Sequence, residues 1–257
     1  MPLQGLTKRN AVVTGAASGI GRAIALRLAA EGARVGVFDI DPAGSAETVA
    51  LATDAGGVAV AHEVDITDLD AVRLAVAAFA NGTGEPDVLV NNAGWDKLGG
   101  FLDTEPELWH RIVDLNLWGF LHVTHAVASR MRERGAGRIV NIASDAARVG
   151  SMGEGVYSAC KGGMVTFTKT LARELARNEI TVNAVCPGPI ETPLLQSFAD
   201  DGDFGAKVVA GMERLIPMRR LGQPDDIPGL VAFLASDDAA FITGQVISVS
   251  GGLTMAG

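Results

Sequence analysis

A doubly wound α/β fold, one parallel sheet of about seven strands with helices on both faces, is predicted by three observations. Short runs rich in Val and Ile recur along the chain without polar alternation, as strands buried on both faces require. Longer segments between them carry apolar residues at helical spacing. A glycine-rich turn joins the first such strand to the first such helix.

The elements follow in order. Residues 11–13 form the first strand and 20–31 the first helix. Strands are predicted at 34–38, 58–64 and 88–90. Thr104 and Glu107 have the spacing of a capping box, and Pro106 stands where its missing N–H costs nothing, so a helix should start there and run, with a bend, to about Arg134. Further strands fall at 138–142, 181–185 and 246–249, and Met164, Phe167, Leu171 and Leu175 mark a helix between the first two of these. Residues 188–217, with Pro189, Pro193, Gly202 and Gly205, read as an irregular insertion, either a substrate lid or a surface loop.

The whole chain, residues 1–257, fits one large α/β domain. Apolar residues make up 48% and aromatics 5%, so the core must come from Val, Ile, Leu and Ala. The 32 glycines point to sites that need backbone without side chains. A net charge of −9 argues against nucleic acid as a partner. Residues 1–10 are too polar for a signal peptide, and no apolar run is long enough to span a membrane. Cys160 and Cys186 suggest no disulfide framework, so a soluble protein of the reducing cytoplasm is expected. No metal site is expected: His122 and His125 lack a third ligand, and the acidic stretches at 200–203 and 225–226 read as a solvated segment and a helix start.

The chemistry is expected at four places. Gly15-Ala16-Ala17-Ser18-Gly19-Ile20-Gly21 lies between a strand and a helix, where a tight turn, close backbone approach and a helix N-terminus suit a pyrophosphate. Asp39 follows Gly21 by 18 residues at the end of the second strand. A carboxylate there bonds ribose hydroxyls and repels a 2′-phosphate, which favours NAD over NADP; the alternative is a turn residue before Asp41-Pro42. Tyr157, the only tyrosine, and Lys161 share one helical face. To act near neutrality the phenol must fall by about two to three units, which an ammonium at about 4 Å can supply. Ser144 and the Asn91-Asn92-Ala93-Gly94 run end strands on the ligand-facing edge, and Asn116 is an amide inside a helix, where it could order water toward Lys161.

Together these motifs resemble the short-chain dehydrogenase/reductase family from Thr14 to Gly252, with Asp65 and Pro187-Gly188 also matching. The resemblance implies a Rossmann-type fold with strand order 3-2-1-4-5-6-7, a homotetramer or homodimer, and NAD-dependent interconversion of a secondary alcohol and a ketone. It implies Tyr157 as acid/base, Lys161 lowering its pKa and holding the nicotinamide ribose, Ser144 holding the substrate oxygen, and Asn116 in a proton relay. Gly15, Ser18, Gly19, Ile20 and Gly21 would meet the pyrophosphate. Asp65 and Ile66 would contact adenine, Asn92, Ala93 and Gly94 the middle of the cofactor, and Pro187, Gly188, Ile190 and Thr192 the nicotinamide amide.

Asn91 to Asp96, Ser144 to Gly150, Cys186 to Pro189 and Ser248 to Met255 are similar to the same segments of 2-hydroxycyclohexanecarboxyl-CoA dehydrogenases. That likeness implies an alicyclic β-hydroxyacyl-CoA substrate, with Trp95, Arg148, Met152 and Glu154 in the pocket. Arg148 would contact the thioester or pantetheine, or else form a surface salt bridge. The 3-oxoacyl-carrier-protein reductases are the competing group, and an NAD-binding regulator without catalysis is the reading from another class.

Overall fold

The computed structural model describes residues 3–200 and 202–256. Their strands are β1 (Asn10–Thr14), β2 (Arg34–Asp39), β3 (Val58–Glu63), β4 (Val88–Asn91), β5 (Gly137–Ile142), β6 (Ile180–Pro187) and β7 (Val246–Val249). All pair in parallel, in the order β3-β2-β1-β4-β5-β6-β7. The helices are α1 (Gly19–Ala30), α2 (Pro42–Asp54), α3 (Leu69–Gly82), α4 (Pro106–Val113), α5 (Phe120–Arg134), α6 (Ala146–Val149), α7 (Gly155–Leu175), α8 (Pro193–Asp200), α9 (Gly202–Leu215) and α10 (Pro228–Ala235).

Successive side chains of a strand point to opposite faces, so β1 feeds two cores. Ala11 and Val13 pack with Ile24 and Leu28 of α1 and Val231 of α10. Val12 packs on the other face with Val76 and Phe79 of α3 and Val127 and Met131 of α5. Strand order reverses between β1 and β4, and the connections that leave their carboxyl ends diverge to open a crevice.

Two local expectations are corrected, and the bend takes a definite form. The capping box at Thr104 does not form: Glu105 is the N-cap, and the Thr104 hydroxyl instead donates to the Phe101 carbonyl at 3.0 Å and accepts from the Trp109 indole at 2.8 Å. The bend before Arg134 is a π-helical turn, Asp114–Gly119, which separates α4 from α5 and contains Asn116. Residues 188–217 are largely helical, not irregular. Pro193 takes the first turn of α8, and Leu195 and Phe198 pack with Val208 and Met212 of α9 and with Leu98. Asp201, from the acidic stretch at 200–203, lies outside the described residues.

Candidate active site

The carboxyl edge of the sheet carries a cleft of about 1550 Å³. Gly15, Ser18, Gly19, Ile20 and Asp39 line one end; Asp65, Ile66, Asn92, Ala93 and Gly94 follow. Ser144, Tyr157 and Lys161 meet Trp95, Met152, Glu154, Pro187, Gly188, Ile190 and Thr192 at the other. The carboxylate of Asp39 is held in place as its Oδ2 accepts from the Ala17 N–H at 2.9 Å and its Oδ1 from the Asp41 N–H at 3.0 Å.

Two predicted residues lie just beneath this surface and shape it. Gly21 packs on the Gly15 carbonyl, so its missing side chain closes the turn. Asn116 is fully buried; its Nδ2 donates to the Ile112 and Trp95 carbonyls, at 2.9 and 2.7 Å, while its Oδ1 has no partner. The extra residue of the π-turn gives this amide its freedom from a regular helix face. A β-carbon at Gly94 would stand 2.8 Å from that Oδ1 and 3.3 Å from the Lys161 ammonium, so Asn116 and Lys161 converge on one point that only glycine leaves open.

Arg148 departs from expectation. Its guanidinium donates to the Val246 carbonyl at 3.3 Å, to the Ser248 hydroxyl at 3.0 Å, and to the Ala256 carbonyl, so it faces β7 and the tail instead of the cleft. A guanidinium placed among the Val246 carbonyl, the Ser248 hydroxyl and the Ala256 carbonyl satisfies them in preference to an open pocket.

The phenol also departs from it. Burial pushes the Tyr157 hydroxyl above its ordinary value, the Glu154 and Asp96 carboxylates add to that, and a hydrogen bond with Ser144 opposes it. Lys161 is 2% exposed, and burial brings its ammonium down to about 8. Its Nζ donates to the Ile142 carbonyl at 3.0 Å and stands 5.6 Å from the centre of the Tyr157 ring. Burial outweighs the Ser144 hydrogen bond, so in this arrangement the phenol is raised and not lowered.

Sequence reasoning missed the polar scaffold below the cleft. Asn92 N–H and Ala93 N–H both donate to the Thr14 hydroxyl, at 3.0 and 3.1 Å, and the Asn92 amide donates to the Thr14 and Gly15 carbonyls, tying the ends of β1 and β4. Asn91 donates to Thr124 and Asn141, and Asn141 donates to Thr168, each at 2.9 Å. It also missed Asp96, a carboxylate 2% exposed beside Trp95. Its visible signal was an acidic residue directly after the Asn91-Asn92-Ala93-Gly94-Trp95 run that ends a strand.

A family model described as enoyl-(acyl carrier protein) reductase matches residues 15–254. The chain belongs to the short-chain dehydrogenase/reductase family. Among family members, the acetoacetyl-CoA reductase of Shinella zoogloeoides is 42% identical over 247 residues, 95% of this chain and 98% of the relative. A 3-oxoacyl-[acyl-carrier protein] reductase from Brucella melitensis, solved with bound NAD, superposes with a TM-score of 0.89 at 37% identity, over 99% of this chain and 95% of that one. An actinorhodin polyketide ketoreductase solved with NADPH gives 0.90 at 39% identity, over 98% and 99%. In the family's terms the cleft is that of an oxidoreductase acting on a CH–OH group.

The cleft suits a dinucleotide. Ser18 begins α1 without a side-chain cap, which leaves first-turn N–H groups open toward it. Gly94 clears the space beneath its middle, and Asp39 presents a carboxylate at its end. Among the described residues, no three His, Cys, Asp or Glu side chains cluster as metal donors, and no helix is long and apolar enough to cross a membrane.

Proposed function

We propose that this chain is an NAD-dependent dehydrogenase that interconverts a secondary alcohol and a ketone on an acyl thioester. The convergence of Ser144, Tyr157 and Lys161 at one end of the cleft that carries Asp39 at the other supports this reading above all. The substrate is a β-hydroxyacyl-CoA of alicyclic type, 2-hydroxycyclohexanecarboxyl-CoA oxidised to its 2-keto form. The apolar lining from Met152, Leu195, Phe198, Met212 and Leu215 suits a saturated ring. Residues 188–217 act as a lid over it within a single domain, the assembly is a homotetramer or homodimer, and the compartment is the cytoplasm.

Gly15, Ser18, Gly19 and Ile20 bind the pyrophosphate, and Asp39 accepts from the ribose hydroxyls and repels a 2′-phosphate. Bound NAD supplies the acceptor for hydride. Ser144 donates a hydrogen bond to the substrate oxygen and holds it beside Tyr157. The Tyr157 phenolate takes the hydroxyl proton as the carbon–oxygen double bond forms; in reduction the phenol returns it. Lys161 stabilises the phenolate, and Asn116 Oδ1 accepts from a water that passes the proton onward.

A substrate panel tests this. With NAD, turnover should be fastest for 2-hydroxycyclohexanecarboxyl-CoA and slower for linear 3-hydroxyacyl-CoA, carrier-protein thioesters and free alcohols. Preference for the carrier-protein thioester with NADPH would favour the ketoreductase reading seen in its relatives, and preference for a free alcohol would remove the thioester.

A further inference from the structure

The chain that follows β7 is tied down at both ends of a single turn. Before the turn, the Ser248 hydroxyl donates to Oδ1 of Asp145, the residue after Ser144, and the Asp145 N–H donates to the Pro187 carbonyl at 2.9 Å. The chain then folds back on itself: the Leu253 N–H donates to the Ser250 carbonyl at 3.1 Å and the Thr254 N–H to the Ser250 hydroxyl at 3.2 Å. Beyond the turn, the Ala256 carbonyl accepts from Arg148.

The same turn packs against both stems of the lid. On the outgoing stem the Gly188 N–H donates to the Val249 carbonyl at 3.0 Å, and a β-carbon on Gly188 would stand 2.8 Å from that of Ser250. On the returning stem the Met218 N–H donates to the Gly251 carbonyl at 3.2 Å. Gly251 and Gly252 both take a positive φ, +61° and +88°, and β-carbons there would stand 2.7 Å from Ile216 and 3.2 Å from Pro217. Two successive glycines in that conformation reverse the chain and let its backbone lie directly on the stem. The reversal brings Leu253 and Thr254 to the lining of the cleft, which also takes Met212 and Leu215 from the end of α9, just before that stem. Met255, by contrast, is 83% exposed and outside the lining. A side chain carried on a segment bonded in this way cannot retreat from a bulky ligand without breaking the bonds that hold both stems.

We propose that Leu253, carried by this tied turn, is a specificity-determining wall of the substrate pocket that sets the largest ring accepted beside the reacting carbon. The residue takes no part in proton or hydride transfer; it acts by the space it denies. This rests on the alicyclic acyl reading of the substrate and adds to it the residue that limits ring size.

Discrimination between ring sizes tests this. In the parent protein kcat/KM for 2-hydroxycyclohexanecarboxyl-CoA should exceed that for its cyclooctane counterpart. Leu253→Ala opens space at the wall, so the ratio of larger to smaller ring should rise roughly tenfold or more, as methylene-sized changes in a packed pocket predict. Leu253→Phe should move the ratio the opposite way, and Met255→Ala, in the same segment but off the cleft, should leave it unchanged. NAD affinity, read by fluorescence titration, should match the parent protein in all three. A merely structural turn predicts equal losses on both rings together with a lower melting temperature. That result, or an unchanged ratio in both Leu253 variants, would overturn the proposal. A loss of NAD affinity that accounts for the change would assign Leu253 to the cofactor and overturn it as well. Failure of the acyl reading looks different: the parent protein then turns over no thioester, and the same ratios on cyclooctanol and cyclohexanol decide the role of the wall.

Discussion

A β-carbon placed on Gly21 would stand 2.0 Å from the carbonyl oxygen of Gly15 and 2.5 Å from the Asn92 amide nitrogen. The first turn of α1 therefore sits directly on the glycine-rich loop, and the loop on the end of β4. Gly21→Ala cannot be accommodated by moving a flexible side chain, because the atom in the way is backbone. Overpacking of this kind costs about 1 to 3 kcal/mol. Thermal unfolding should show that loss, and NAD titration by fluorescence should show weakened binding, since the displaced atoms border the pyrophosphate position.

Asp39 serves two ends, receiving the Ala17 N–H and facing the ribose position. Asp39→Asn keeps an acceptor but removes the charge. The ratio of kcat/KM for NAD to that for NADP should fall by roughly tenfold or more, through loss of repulsion toward a 2′-phosphate. An unchanged ratio would show that cofactor choice is made elsewhere.

Arg148 is bound to β7 and the tail. Arg148→Met should leave KM for an acyl-CoA nearly unchanged and lower stability by about 1 to 3 kcal/mol, because strand-end acceptors lose a charged donor. A large rise in KM without loss of stability would return Arg148 to the substrate.

The fold was legible because each strand of a two-sided parallel sheet must be apolar on both faces, and that pattern survives in residues 11–13, 88–90 and 138–142 without any knowledge of pairing. The site was legible where chemistry demands a residue type at fixed spacing: Gly15 with Gly21, Tyr157 with Lys161. Arg148 and Asp96 were not legible, since both depend on what lies across space. One finds a carbonyl and a hydroxyl of a strand about 100 positions later, and the other meets the charge of Glu154, 58 positions away, on a segment that its loop reaches through the Gly99 N–H and the Gly153 carbonyl. The Thr104 spacing misled for a local reason, because the indole five positions on and the Phe101 carbonyl claimed its hydroxyl.

Asp96 also predicts a pH dependence of stability. Its proton is held in the folded state up to about 7, against an ordinary value of 3.8, so the folded protein is favoured most below about pH 4 as far as this group is concerned. That contribution is lost progressively as pH rises from about 4 to about 7, and is constant above. Asp96→Asn cannot ionise. Chemical denaturation across pH 4 to 9 should show the variant gaining on the parent protein through this window, with the difference levelling above about pH 7. Parallel curves would mean that Asp96 is solvated.

The most direct measurement is single-turnover oxidation of the best hydroxyacyl-CoA with NAD, by the parent protein and by Tyr157→Phe. The substitution removes only the hydroxyl that moves the proton. The rate of NADH formation should fall by about 100-fold to 10,000-fold while NAD binding stays intact. Equal rates in the two proteins, or equal inactivity on every alcohol offered with NAD still bound, would contradict the assignment of Tyr157 as the acid/base of a dehydrogenase.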